Sequence, residues 1–261
     1  MVSPPGTGAG LMHAFVQLWH WLTTASHWSG PCEPLNCPIP TRVLQHVELS
    51  LLGVAIAMAV ALPVGMLIGH TRRGEFLAVS IANLGRAIPS FAILSLVFLI
   101  MLQVKPKLSF GFVPTVIALF LLAIPPILTN TYVGIQGVDP DTVEAARGVG
   151  MTEREVLVRL ELPLAAPLII AGLRTAAVQV VATATLAAVI GGGGLGRYIV
   201  DGFAVNDDTM VLAGAVLVAA LAILTELAFA GFERIATPRF SQRGRRRPEV
   251  EPEPAAAFKS A

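Results

Sequence analysis

Charge is what this chain has least of: Asp, Glu, Lys and Arg make up 13% of its 261 residues, where an ordinary soluble domain carries about a quarter. Hydrophobic residues make up 54%, which excludes a water-soluble globule with a charged shell. Two cysteines exclude a disulfide-rich scaffold and a four-thiolate metal centre. The sequence contains no G-x-x-x-x-G-K-[ST] phosphate loop, no H-E-x-x-H pair and no recognisable Ser, His and Asp set. No catalytic residue and no metal ligand is therefore assigned, no cofactor is expected on this chain, and any nucleotide energy must enter through another subunit. Nothing marks a nucleic-acid surface. Acidic groups inside the apolar runs are nearly absent too. Glu226 sits close to the end of its run, whereas ion-coupled carriers keep partnered acids at mid-membrane. Arg86, bordering the second run, suits snorkelling toward headgroups.

What the chain has is long apolar runs. Leu49 to Gly69, Ala87 to Val104, Leu108 to Val138 and Thr175 to Gly196 are free of charge, and Thr209 to Phe232 is broken only by Glu226. A bilayer core needs about 20 such residues per helix, so the reading is an all-α integral membrane protein with about five transmembrane helices. The N-terminal piece LMHAFVQLWHWL is short, carries His13 and His20, and has neither a basic leader nor a small-residue cleavage site. It reads as an interfacial helix, with a sixth span as the competing reading. Arg72, Arg73, the stretch from 139 to 163, Arg174 and the tail from Arg234 fall on one side and hold most of the 18 basic residues. Arg42, Lys105, Lys107 and Arg197 fall on the other. The positive-inside rule then puts the N-terminus outside and the C-terminus in the cytoplasm. The expected organisation is an extracytoplasmic segment over 1–43, a transmembrane domain over 44–238 containing a charged cytoplasmic loop at 139–163, and a disordered basic tail over 239–261 with its arginines against anionic membrane lipid.

Smaller patterns decorate this frame. Cys32 and Cys37 lie in PCEPLNCP on the oxidising side, where a disulfide and two idle thiols stand as equal readings. In the first span Gly53, Ala57, Ala61, Gly65 and Gly69 recur every four residues, which predicts a face for close helix packing. Thr175, Gln179 and Thr183 form a polar stripe on the fourth span, read either as a lining of a pathway or as hydrogen bonds between helices. GGGGLG, from Gly191 to Gly196, satisfies G-x-G-x-x-G but follows a membrane helix rather than a strand, so dinucleotide binding is rejected for a flexible reversal.

The stretch EAARGVGMTEREVLVRLELP, Glu144 to Pro163, packs seven charged residues into this apolar chain. It spells two short helices. Asp139 can cap the first, Pro140 suits its first turn and Asp141 complements the helix dipole. Gly148 and Gly150 break it, Thr152 and Glu155 give a capping box for the second, and Pro163 marks the limit. Val156, Leu157 and Leu160 share one side of that second helix, suited to lipid or a partner's groove.

Glu144, Ala145, Ala146, Gly150, Leu160, Leu162 and Pro163 match in type and spacing the EAA loop of permease subunits in binding-protein-dependent ABC importers, with Leu160 where Ile is more usual. The chain resembles that family over roughly residues 40–238. RAIPSFAIL, NTYVGIQGVDPDTVEAARGVGMT and IGGGGLGRYIVDG look like its osmoprotectant branch, whose members import glycine betaine, carnitine, choline and related compounds. The methionine importers share the loop and a similar glycine-rich turn, and stand as the alternative; a passive osmolyte channel is a third reading that leaves the loop without a role. The resemblance implies a type I importer permease core in a bacterial inner membrane. It also implies that the loop docks into a cleft on a cytoplasmic ATPase, with Ala145 and Ala146 permitting close docking and Gly150 the bend. Two ATPase copies, a second permease and an external solute-binding protein are the implied partners. Quaternary amines are held by aromatic faces; only Tyr132 and Tyr198 are tyrosines here, in keeping with a cage that belongs to the binding protein.

Overall fold

The computed structural model describes residues 7–33 and 37–236, and the regular structure in them is entirely helical. The basic tail expected over 239–261 lies outside the described residues. Four helical runs are long and apolar enough to cross a membrane: Ile39–Thr71, Phe112–Gln136, Glu153–Ile190 and Asp208–Ala236.

The N-terminal helix α1 (Thr7–Thr23) is not one of the four. One side leans on the start of the last helix, where the Thr209 hydroxyl donates to Gln17 Oε1 at 3.3 Å. Another exposes Met12, Phe15 and Trp19. Cys32 and Cys37 are disulfide-bonded. Helix α2 (Ile39–Thr71) then begins ten residues before the charge-free run, so the boundary expected at residue 43 falls inside it. Its 33 residues extend roughly 50 Å at 1.5 Å each, longer than a bilayer core.

The second expected span is corrected. Ala87 to Val104 is divided between the end of α3 (Glu75–Ala87) and α4 (Ser90–Val104), and α4 has only 15 residues. Pro89 disfavours helical geometry at Ile88, so the chain turns there and Arg86 falls in the last turn of α3. Together the two helices return the chain to the end where α2 began. Helix α5 (Phe112–Gln136) is central, packed between α2 and α8 (Leu162–Thr183).

The four-residue repeat on α2 faces α5 as its spacing predicts. Gly53, Ala57, Ala61, Gly65 and Gly69 are all buried. A Cβ on Gly65 would stand 2.8 Å from Thr131 Cβ, and one on Gly69 2.6 Å from Ile135 Cβ, so the seam admits no larger side chain. Leu51, Leu67, Leu224 and Leu227 stay exposed on α2 and α10 (Asp208–Ala236), as lipid-facing positions require.

A second correction concerns Pro163. A break was expected there, followed by a separate span from Thr175; the chain instead runs on through α7 (Glu153–Glu155), a π-helical turn at Val156–Glu161, α8 and a 3-10 stretch at Ala184–Ile190. Pro163 sits in the first turn of α8, where the wider turn before it relieves the missing N–H. Between α8 and α10, Arg174 pairs with Glu226, and its Nη1 lies 3.4 Å from Glu233 Oε2. The lone acid of the last run is thus half of an ion pair. The chain closes through α9 (Gly196–Val205), which packs on α10 after Asn206 takes the left-handed turn at φ 56°.

Candidate functional site

The charged loop is folded, and local chemistry explains its shape. Asp139 accepts from the Asp141 backbone N–H at 3.0 Å and caps α6 (Pro140–Gly148). At the other end Gly150 adopts φ +91°, its N–H reaches the Arg147 carbonyl at 3.0 Å, and Met151 N–H reaches the Ala146 carbonyl at 3.1 Å. That pair of bonds is a Schellman motif, which needs a left-handed residue and favours glycine there. Thr152 then starts the next helix with both halves of a capping box to Glu155 in place. Arg147 donates to both Glu153 oxygens at 2.9 Å, and this pairing holds its guanidinium above the ordinary arginine range. Loop and following helix are therefore pinned at a fixed angle.

One side of this hairpin is internal. Val138, Val143, Ala146 and Val156 form a small core with Met151 and Leu160 against them, while Leu157 and Leu162 pack toward Ile135, Ala165 and Ile169. The apolar side of the second helix is therefore spent on this chain's own core, not presented to lipid or a groove. Ala146, expected beside Ala145 in close docking, is corrected: it points into that core. Glu144, Ala145, Gly148, Val149 and Gly150 are exposed, with Val149 at 82%, and a Cβ added at Gly148 would meet nothing. These residues make a small-residue shelf with one carboxylate and one bare valine. Pro163 is exposed as well.

Two residues that sequence reasoning did not single out tie the loop to the membrane bundle. His70, at the end of the α2 stripe, has Nδ1 2.6 Å from Glu161 Oε2 and Nε2 3.1 Å from Glu153 Oε2. Glu161 is only 5% exposed. The partners are 91 residues apart, so no local pattern could pair them. The one available signal was a carboxylate in an otherwise apolar helical face. Removing one side of a buried polar pair costs about 1–3 kcal/mol. Glu161→Ala is therefore expected to lower the melting temperature in detergent. A cycle with His70→Ala should return a coupling energy of about 0.5–3 kcal/mol, and additive effects would show that the contact is idle.

The polar stripe lies on one open side of α8: Thr175 and Gln179 are exposed and Thr183 is half-buried. Thr175 donates to the Ala171 carbonyl of its own helix at 2.9 Å rather than to another helix. Among the described residues no group of His, Cys, Asp or Glu could hold a metal ion.

Residues 61–239 match the family model described as binding-protein-dependent transport system inner membrane component. Among known proteins, the chain is 41% identical over 202 residues to the choline transport system permease protein OpuBB of Bacillus subtilis, covering 77% of this chain and 90% of that one. It is 40% identical over 195 residues to the glycine betaine/carnitine/choline transport system permease protein OpuCB of the same organism, covering 75% and 87%. Among solved structures, the inward-facing MetNI methionine ABC transporter superposes with a TM-score of 0.67 at 22% identity, over 77% of this chain and 96% of that one. That last likeness is one of fold.

Proposed function

This chain belongs to the family of binding-protein-dependent transport system inner membrane components, and from that premise we propose that it is the permease subunit of an ATP-driven importer of choline-, carnitine- and glycine betaine-type osmoprotectants. The observation that carries the mechanism is the capped, core-backed loop whose exposed shelf, Glu144, Ala145 and Gly148 to Gly150, is joined through His70 and Glu161 to α2 and α8. A loop that hung freely could be pushed without moving the helices. This one cannot.

In this reading the loop end faces the cytoplasm and docks on an ATPase subunit, which binds and hydrolyses the ATP; this chain holds no cofactor. Two permeases, identical or paralogous, pair with two ATPases, and a solute-binding protein delivers cargo at the opposite end. Closure of the ATPases displaces the two loops, and each displacement passes through the π-helical turn into α8 and through His70 into α2. The Thr175, Gln179 and Thr183 stripe faces the second permease or the path between them. The relatives at 40% identity or above support osmoprotectants over methionine as cargo.

The test is uptake into proteoliposomes holding this chain with its ATPase, ATP inside and cargo-loaded binding protein outside. Labelled choline and glycine betaine should accumulate only with ATP. Accumulation of methionine alone would change the cargo, and choline flux without ATP would overturn the mechanism.

A further inference from the structure

The glycine-rich turn from Gly191 to Gly196 is not the flexible reversal its composition suggests. It is packed tightly at the end of the molecule away from the charged loop. A Cβ on Gly196 would lie 2.1 Å from the Thr185 carbonyl oxygen, one on Gly192 2.6 Å from the Ala187 carbonyl oxygen, and one on Gly193 2.4 Å from Gln45 Oε1. Gly194 takes φ +91°. The glycines serve close approach. The turn is also bonded to its neighbours: Gly111 N–H donates to the Ile190 carbonyl at 2.9 Å, and Gly194 N–H to Gln45 Oε1 at 3.0 Å.

Beside Gln45, His46 has no exposed surface. Its Nδ1 accepts the Leu195 backbone N–H at 3.2 Å, and its Nε2 lies 2.8 Å from the Val181 carbonyl oxygen. An amide N–H only donates and a carbonyl only accepts, so the ring must be bare at Nδ1 and carry its proton at Nε2. Val181 is in the last turn of α8, where carbonyls lose their helical partners as the helix tightens into the 3-10 stretch. One imidazole thus joins three elements: the start of α2, the broken end of α8 and the glycine-rich turn. A cavity of about 190 Å³ opens beside Gln45, lined also by Glu48, Gly111 and Gly191 to Gly193.

Helix α2 is therefore gripped at both ends, by His70 against Glu161 near the charged loop and by His46 at the opposite end, with a stiff small-residue seam to α5 between them. We propose that His46, seconded by Gln45, is a positioning residue that locks the glycine-rich turn and the end of α8 to α2. Movement begun at the charged loop then reaches the far mouth of the pathway. The proposal rests on the importer reading for its transport consequence, while the latch itself is testable without it.

Three variants dissect the ring. His46→Asn keeps an acceptor near the Nδ1 position, His46→Gln keeps a donor near the Nε2 position, and His46→Leu keeps neither. In proteoliposomes His46→Leu should lower maximal uptake about tenfold or more, leave the apparent affinity for loaded binding protein unchanged and raise the ATP consumed per cargo molecule, with His46→Asn and His46→Gln in between. Amide exchange read in the same samples should quicken at Gly194 and Leu195 in His46→Leu. Ring-¹⁵N spectra of the wild type should show His46, assigned by its loss in His46→Asn, as the Nε2–H tautomer. A proton on Nδ1, or unchanged exchange with an unchanged ATP-to-cargo ratio, overturns the latch. If His46→Leu fails to fold, the Asn and Gln variants carry the same readouts. Wild-type protein that moves no osmoprotectant would sink the importer reading, and exchange and tautomer would still decide the latch.

Discussion

Glu144→Lys leaves the permease folded in the membrane and reduces ATP-driven uptake by about a hundredfold. Glu144 is exposed on α6 and its side chain makes no hydrogen bond or short ion pair among the described residues, so the chain's own stability does not depend on that carboxylate. Its carboxylate stands on the shelf beside Ala145, Gly148 and Val149, all exposed and outside the internal core. Reversing a charge at a docked interface costs several kcal/mol, enough for two decades in occupancy. The expected pattern is an unchanged melting temperature, loss of co-purifying ATPase and loss of uptake. An unstable protein would mean that Glu144 serves the fold, and full uptake would mean that the shelf is not the dock.

The opposite pattern is expected in the α2 seam. Gly69→Leu places a Cβ 2.6 Å from Ile135 Cβ and 2.9 Å from the Tyr132 carbonyl oxygen, and the remaining side-chain atoms have no room. Backbone cannot retreat as a flexible side chain would, so the cost should reach about 3 kcal/mol or more, with loss of monodisperse protein in detergent. Gly231→Ala is the control. A Cβ there meets nothing within 4 Å, and a glycine inside a helix costs up to about 1 kcal/mol relative to alanine, less toward the end of α10 where Gly231 lies, so this variant should be neutral or stabilised. Equal behaviour of the two variants would show that the small-residue face is not a packing requirement.

Features fixed by neighbours in sequence were legible before the structure. The Asp139 cap, the Thr152 and Glu155 box and the bend at Gly150 all depend on residues within a few positions, and the four-residue stripe on α2 needs only helical periodicity. Features that join distant segments were not. His70 with Glu161, Arg174 with Glu226 and His46 with Val181 and Leu195 each cross more than fifty residues, and their partners look locally like ordinary surface or helix-end groups. Two local signals misled for physical reasons. Pro163 spelled a helix end, but a π-helical turn absorbs it; GGGGLG spelled flexibility, but its glycines are there because backbone and side chains press against them. Ala146 shows the limit of motif reading: one of two adjacent alanines faces outward and the other inward, a matter of helical phase set by the core beneath.

If the exposed shelf of the charged loop meets the ATPase, a reactive group placed there must reach that subunit. Val149→benzoylphenylalanine puts a photoreactive group on the shelf's most exposed apolar position, and the same group replacing Leu224 on the lipid-facing side of α10 serves as the control. On irradiation of membranes containing both subunits, position 149 should cross-link to the ATPase with a yield that changes on adding ATP, while position 224 should not. A cross-link from 149 to lipid alone, or to the ATPase from both positions equally, would contradict the account.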